Sequence, residues 1–472
     1  MSKSSIKKNF LFNVSYQLLS VFVPLATTPY VSRVLGVEGV GIFSYTFAIA
    51  QYFMLFILLG LNNYGNRTIA QIRNNKEQMS KCFSEIYGMQ LIVGVFIFCL
   101  YLVYSIFFSE NERLSLLMSI LVFSSILDIN WFFFGIEEFK LIIVRNFIIK
   151  LGSLISVFLF VKGENALYIY AFVNVLSILF SQVALVPFLR KYIFFTLPSL
   201  TGILKHIKPN LILFLTVIAT SIYNIINKII LGYVTTPIEV GLYESSLKIV
   251  AIPTLLITAL GTVMLPRMSN LVANNDTGYE QLLAKSFVFA LFISSVIAFG
   301  IMGVSKEFVP IFYGKGYEKC VELFLILLPT GIFFAIGNVI RTQVLIPRSM
   351  DKIYVISGFL GAGVNLLINL ILIPYYGAIG AAIGTFFAEA FVSLFQLYKG
   401  RKYLYINQYT TLIISFLLSG IVMFFLIFCF DFKADIWLNF LFKIIIGIIV
   451  YFFSLFLLIK CFRVPKNILM LK

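Results

Sequence analysis

The sequence predicts an all-α integral membrane protein of about fourteen transmembrane helices, and three observations carry that expectation. Of 472 residues, 60% are hydrophobic and 12% charged, with a mean hydropathy of +1.00. That is too little polar surface to clothe a water-soluble body, so lipid must solvate the chain. Apolar runs of roughly twenty residues recur from end to end, each long enough to cross about 30 Å of hydrocarbon as a helix. None alternates polar and apolar residues in the manner of a barrel strand, and a spanning helix satisfies its own backbone.

In order, the spans fall at 9–32, 40–62, 84–108, 113–134, 142–162, 166–189, 209–233, 239–264, 283–304, 320–343, 352–374, 378–398, 409–430 and 436–461. The first begins near Phe10 without a small-residue cleavage pattern and reads as a retained helix. Loops sort by charge. Lys3, Lys7 and Lys8 precede the first span, Arg67, Arg73, Lys76 and Lys81 follow the second, Arg190, Lys191, Lys205 and Lys208 follow the sixth, and Lys460, Arg463, Lys466 and Lys472 close the chain. The alternate loops are short and mixed or acidic, as in Glu110-Asn111-Glu112-Arg113. The positive-inside rule then makes both termini cytoplasmic. Pro24, Pro253 and Pro329 interrupt spans and are expected to bend them. The segment from Asn66 to Phe83 alternates basic and apolar residues; it either lies on the cytoplasmic surface beside anionic lipid or is an ordinary solvated loop.

Two pairs of strings point to an internal duplication. Val40-Gly41-Ile42-Phe43 resembles Val240-Gly241-Leu242-Tyr243, with Arg33-Val34-Leu35-Gly36 and Lys228-Ile229-Ile230-Leu231-Gly232 upstream; Leu189-Arg190-Lys191-Tyr192 matches Gly400-Arg401-Lys402-Tyr403. The register suggests a six-helix lobe at 1–195, a second at 196–404 in the same sense, and two additional helices at 405–472.

The net charge of +16 sits in short clusters between apolar runs, so orientation explains it better than nucleic acid does. Five cysteines lie scattered without a C-x-x-C pair and read as small hydrophobes, not as a disulfide framework or metal site. The one histidine, His206, lies in a basic loop, which leaves little room for histidine chemistry.

The string from Thr27 to Gly41, TTPYVSRVLGVEGVG, resembles the first-helix and first-loop signature of bacterial polysaccharide (Wzx-like, O-antigen-type) flippases. Trp131-Phe132-Phe133-Phe134-Gly135-Ile136-Glu137, Leu265-Pro266-Arg267-Met268-Ser269 and the run from Pro374 to Ala382 extend the resemblance over essentially the whole chain. It implies the MATE-like fold of the multidrug/oligosaccharidyl-lipid/polysaccharide (MOP) exporter superfamily, with two six-helix lobes in a V and two C-terminal helices. It further implies a multi-pass protein of the bacterial cytoplasmic (inner) membrane that flips undecaprenyl-diphosphate-linked oligosaccharide for surface polysaccharide. A polysaccharide polymerase and chain-length machinery are the partners such a role would bring.

The residues support a polar path independently. Each unsatisfied polar group of a sugar costs several kcal/mol in hydrocarbon, so unassisted crossing is prohibitive. Asn13, Gln17, Ser20 and Thr27 share a face of the first span, and Thr216, Thr220, Asn224 and Lys228 recur along the seventh. Asn146, Lys150 and Ser153 mark the fifth, Asn174, Ser177 and Ser181 the sixth, and Asn365 and Asn369 the eleventh. The plain alternative is that such residues glue helices together.

A charge near the bilayer centre costs about 3 kcal/mol, which singles out Asp128, Lys150, Lys228, Glu244, Lys248, Arg341 and Glu389, with Arg33 near a span end. A diphosphate needs cations, and Arg33, Lys150, Lys228 and Arg341 are the candidates. Lys248 either joins them, tuned by Glu244, or simply pairs with that residue four positions away. For Arg33 and Arg341, snorkelling to the interface is the alternative. Asp128 and Glu389 are candidates for a coupling proton or sodium ion, or carboxylates held for packing. No catalytic residue, metal site or cofactor is expected, and no P-loop motif is present; the membrane potential can help drive export, alone or with counter-transport of a proton or sodium ion. A drug exporter of the same superfamily would want an acidic pocket, and a membrane-embedded polymerase or glycosyltransferase a large outward loop.

Overall fold

The computed structural model describes residues 3–163, 165–221, 225–274, 276, 278–404, 409–430 and 435–462, with side chains from Val23 onward apart from those of Thr216, Ala219 and Thr220. Among the described residues there is no strand, and twelve helices are long and apolar enough to cross a membrane. The chain divides into two compact units, Met1–Gly232 and Tyr233–Lys472.

Unit 1 opens with α1 (Lys3–Leu58), which contains most of the first two expected spans. They meet at Gly36, whose φ of 66° and ψ of 176° leave the helical region at a position glycine tolerates without penalty. Pro24 and Pro29 lie inside α1 without a further break. Leu59, at φ 47°, ends the helix, and α2 (Leu61–Ile72) follows. Asn75 caps α3 (Lys76–Phe107) through the Gln78 N–H, and Asn111 caps α4 (Glu112–Ile126) through the Leu114 N–H; both helices carry a glutamate in the first turn, where the macrodipole favours it. Then come α5 (Asn130–Gly135), α6 (Phe139–Phe160), α7 (Ala166–Val183), α8 (Val186–Tyr192), α9 (Leu200–Ser221) and α10 (Asn227–Val234).

Several expectations change here. The span expected at 113–134 is two helices, parted at Leu127–Ile129. The stretch from Asn66 is helical on both sides of a short turn, with α2 running to Ile72 and α3 starting at Lys76, and its Arg67, Arg73, Lys76 and Lys81 side chains are exposed. Leu61, Tyr64, Gly65 and Ile69 of α2 are buried, and the Trp131 ring lies so close that Gly65 has no room for a side chain. Helix α9 begins nine residues before the expected start of the seventh span, so His206 is helical and buried.

Unit 2 comprises α11 (Pro237–Ala273), α12 (Gly278–Gly303), α13 (Ser305–Phe312), α14 (Cys320–Leu327), α15 (Thr330–Ile340), α16 (Asp351–Tyr376), α17 (Ala378–Gly400), α18 (Thr410–Cys429) and α19 (Ile436–Cys461). Pro253 lies inside α11, whereas Pro329 sits at the junction of α14 and α15. A π-turn at Arg341–Leu345 follows α15. Gly377, at φ 56°, turns α16 into α17. There Glu239 accepts from the Ala378 N–H at 2.6 Å through one carboxylate oxygen and from Lys319 at 2.6 Å through the other. The apolar faces of α12, α18 and α19 share one core around Phe416, Met423 and Tyr451. Of the paired strings, Val40–Phe43 and Val240–Tyr243 are both helical, whereas Gly36 makes a turn and Gly232 is helical beneath the Tyr45 ring.

Candidate functional site: a polar chamber in unit 1

The break between α4 and α5 frees backbone carbonyls inside an apolar body, and Gln90 of α3 satisfies them. Its Nε2 donates to the carbonyls of Ser125 (2.9 Å), Ile126 (3.2 Å) and Asp128 (2.9 Å), while its Oε1 accepts from the Trp131 indole at 3.1 Å. The arrangement fixes Asp128, whose Oδ1 accepts from the Asn130 N–H at 2.9 Å and from the Asn130 side chain at 2.7 Å. Asn130 continues the chain: its amide donates to Gln182 at 3.0 Å, and its Oδ1 accepts from Arg145 at 3.0 Å. Arg145 also donates from Nη2 and Nε to Asn146, at 2.7 and 3.1 Å, and Ser181 closes the network on the same Asn146 oxygen at 3.1 Å.

Asp128, Asn130, Arg145, Asn146, Ser181 and Gln182 line a cavity of about 470 Å³ together with Lys150, Asn62 and Ser177. Two cations thus face one carboxylate in a recess whose remaining polar groups are amides and hydroxyls. Such a surface complements a phosphate-bearing, hydroxyl-rich ligand: cations neutralise phosphate, a guanidinium can grip two oxygens, and amides both donate and accept.

Of the residues expected at a site, Lys150 and Asp128 come together in this chamber. Arg33 is exposed near the Gly36 turn, donating to the Pro29 carbonyl at 3.2 Å. Lys228 is half-buried on α10, and Glu244 and Lys248 are half-buried on α11. Arg341 stands at the π-turn with its guanidinium 5.5 Å from the Tyr354 ring, near enough to Glu389 of α17 to act on it electrostatically. Asn224 lies outside the described residues.

Some expected polar faces serve packing instead. Asn365 and Asn369 are fully buried, bonded to each other at 3.1 Å, with the Asn369 side chain seated against Gly384 of α17. The Asn174 and Ser177 side chains donate to carbonyls one turn back in their own helix.

Arg145, Asn130 and Gln182 of the chamber were not singled out from the sequence, and Arg145 is the one that carries charge. It lies near the start of the fifth span, where an arginine ordinarily snorkels outward, yet it is 9% exposed. The usable signal was its placement beside Asn146 and one turn and a half before Lys150. A buried ion pair in unit 2, Glu307 with Lys443, was also missed.

Comparison with known proteins agrees with this fold. A putative O-antigen transporter of Shigella dysenteriae is 27% identical over 404 residues, covering 83% of this chain and 99% of the relative. A putative O-antigen transporter of Escherichia coli K12 is 24% identical over 406 residues, covering 84% and 97%. The structure of the lipid II flippase MurJ in an inward closed conformation superposes with a TM-score of 0.72 at 16% identity, over 93% of this chain and all of that one. An inward-facing multidrug resistance MATE family transporter of the MOP superfamily superposes at 0.59 with 14% identity, over 82% and 94%. At such identities the two structures share the fold alone. The polysaccharide biosynthesis protein family matches residues 6–272, more than half of the 472, and the chain belongs to that family.

Proposed function

We propose that this protein is a flippase that carries undecaprenyl-diphosphate-linked oligosaccharide repeat units from the cytoplasmic to the outer leaflet of the cytoplasmic membrane for surface polysaccharide synthesis. The observation that carries the reading is the chamber of unit 1, where Arg145 and Lys150 stand among Asn130, Asn146, Ser181 and Gln182. Cations meet the diphosphate there, and amides and hydroxyls replace the water that the first sugars leave behind. The relatives that are named O-antigen transporters and the lipid II flippase that shares the fold support the same substrate class.

The proposed mechanism is alternating access by two lobes, the first taken to Gly232 where unit 1 ends, with 405–472 as accessory helices and both termini cytoplasmic, as the basic loops favour. Two negative charges moving outward across the full field release about 4 to 5 kcal/mol per 100 mV, so the potential can drive export. Counter-transport of a proton or sodium ion at Asp128 or Glu389 would add to it. Arg33, Lys228, Lys248 and Arg341 are proposed as later phosphate contacts.

The test is reconstitution into liposomes with a fluorescent undecaprenyl-diphosphate oligosaccharide, following sugar accessibility at each leaflet. Protein-dependent flipping that falls at least tenfold in Arg145→Gln and Lys150→Gln supports the proposal. Folded protein that moves no lipid-linked glycan under an imposed potential, yet exports cationic drugs, would replace it with the drug-exporter reading.

A further inference from the structure

The polar chamber does not end blindly. A second cavity of about 660 Å³ runs between α6 and α7, and the two share the walls Ile149 and Ser177. Both volumes fall in the range of about 300–1,000 Å³ usual for small-molecule sites. The second cavity is built from one stripe of each helix. On α6 the lining recurs at Ile149, Gly152, Ser153, Ser156 and Phe160, and on α7 at Ile169, Phe172, Val173, Leu176 and Phe180, the spacing of a single helical face.

Small residues on α6 hold the space open: a methyl group added at Gly152 would meet nothing within 4 Å. The Ser177 hydroxyl is spent on the Val173 carbonyl at 2.6 Å, so at the junction it presents little polarity. The groove follows α6 from Ile149 to Phe160, about 16 Å at 1.5 Å per residue, or half of a hydrocarbon core of about 30 Å. One end is therefore cationic and hydrogen-bonding, and the rest is a mainly apolar channel, with Ser153 and Ser156 on its α6 wall, about one leaflet long.

From this junction we infer that the groove between α6 and α7 holds the hydrocarbon chain of the transported lipid while Arg145 and Lys150 hold its diphosphate. The inference rests on the flippase reading above and adds where the chain goes. A hydrocarbon chain gains little free energy by leaving lipid for an apolar groove, so the groove's work is orientation. It aligns the chain along α6 and thereby delivers the head to the chamber. Bulk phospholipid would meet the same apolar walls, and the charge at the junction favours the occupant with more phosphate charge.

The experiment is photocrosslinking in proteoliposomes with undecaprenyl diphosphate carrying a diazirine in its prenyl chain, with adducts mapped by peptide mass spectrometry, alongside the flipping assay. Adducts are expected on residues 149–160 and 169–180. Excess unlabelled undecaprenyl diphosphate should compete them away and excess phosphatidylglycerol should not. Gly152→Leu places its β-carbon in open space and adds bulk to the groove, and should lower those adducts at least fivefold, while soluble pyrophosphate still protects the chamber of the same variant against reagents directed at Lys150. Adducts on other helices, equal competition by phosphatidylglycerol, or wild-type flipping by Gly152→Leu would overturn the groove and leave the flippase reading standing. Absence of both adducts and flipping would overturn both.

Discussion

Gln90 donates to the Asp128 carbonyl at 2.9 Å, and through that bond α3 holds open the break from which the polar chamber is built. The same amide serves two further carbonyls and the Trp131 indole, and Gln90 is fully buried. Gln90→Leu keeps comparable bulk but strips partners from four backbone or ring groups. A buried group left unsatisfied costs about 1–3 kcal/mol, so the variant should lose at least about 2 kcal/mol of stability. Thermal unfolding in detergent reads this as a clearly lowered Tm. An unchanged Tm would mean that the break is held by something else.

Arg145 bonds Asn130 from one side of its guanidinium and Asn146 from another. Lysine retains the charge but is a point donor without a planar fork. If charge alone mattered, Arg145→Lys would flip lipid-linked glycan at the wild-type rate. The geometry predicts instead a loss of roughly tenfold, about 1.4 kcal/mol, with Arg145→Gln lower still. Measured initial rates at one fixed potential separate the two.

His206 is buried at the start of unit 1's last long helix, its Nδ1 2.6 Å from the Tyr64 hydroxyl of α2 and its Nε2 3.2 Å from the Glu85 carboxylate of α3. Lys205, on the same helix as His206, pairs with that carboxylate at 2.5 Å. The neutral tautomer with its proton on Nε2 suits both contacts: it donates to Glu85 and accepts from Tyr64. Burial pushes the His206 pKa below its usual 6.5 and the Lys205 charge adds to that, against the upward pull of Glu85. The unfolded chain therefore takes up this proton first as pH falls. The stability contributed by neutral His206 is complete above about pH 6.5 and is lost as pH drops through the folded value. Tm should fall between pH 7 and pH 5 more steeply for the wild type than for His206→Gln, which keeps a donor and an acceptor but cannot titrate. Parallel curves would remove His206 from the account.

The boundary between the first two spans and the order of the spans were legible because they are local: apolar length and the charge of each loop decide them. Asp128 was visible as a charge in an apolar run, but the break around it was not. Its cause is Gln90, on another helix and nearly forty residues away, and hydropathy runs unbroken through 113–134. Arg145 failed for a related reason. Its bond to Asn130 comes from α5, and the neighbouring Asn146 and Lys150 show only that this side of the helix is polar, not that the arginine is buried. Asn365 and Asn369 were visible as a polar face, but Gly384 on the neighbouring helix makes that face a contact. Periodicity shows that a side is polar; the partner helix decides whether it faces a cavity.

Lys443 of α19 and Glu307 of α13 form an ion pair at 2.6 Å, their side chains 1% and 8% exposed, with Asn439 donating to the same carboxylate oxygen at 3.1 Å. The pair ties the last helix to a short helix of unit 2 beside an apolar cavity of about 370 Å³. Breaking one side of such a pair strands the other charge in low dielectric, which costs about 3–5 kcal/mol, whereas replacing both partners is close to neutral. Lys443→Met alone should therefore lower Tm sharply, and Glu307→Gln with Lys443→Met should recover most of that loss. Thermal unfolding of the two variants in one detergent decides the matter. A double variant no more stable than Lys443→Met would mean that the cost lies in lost packing around the lysine stem and not in a stranded carboxylate.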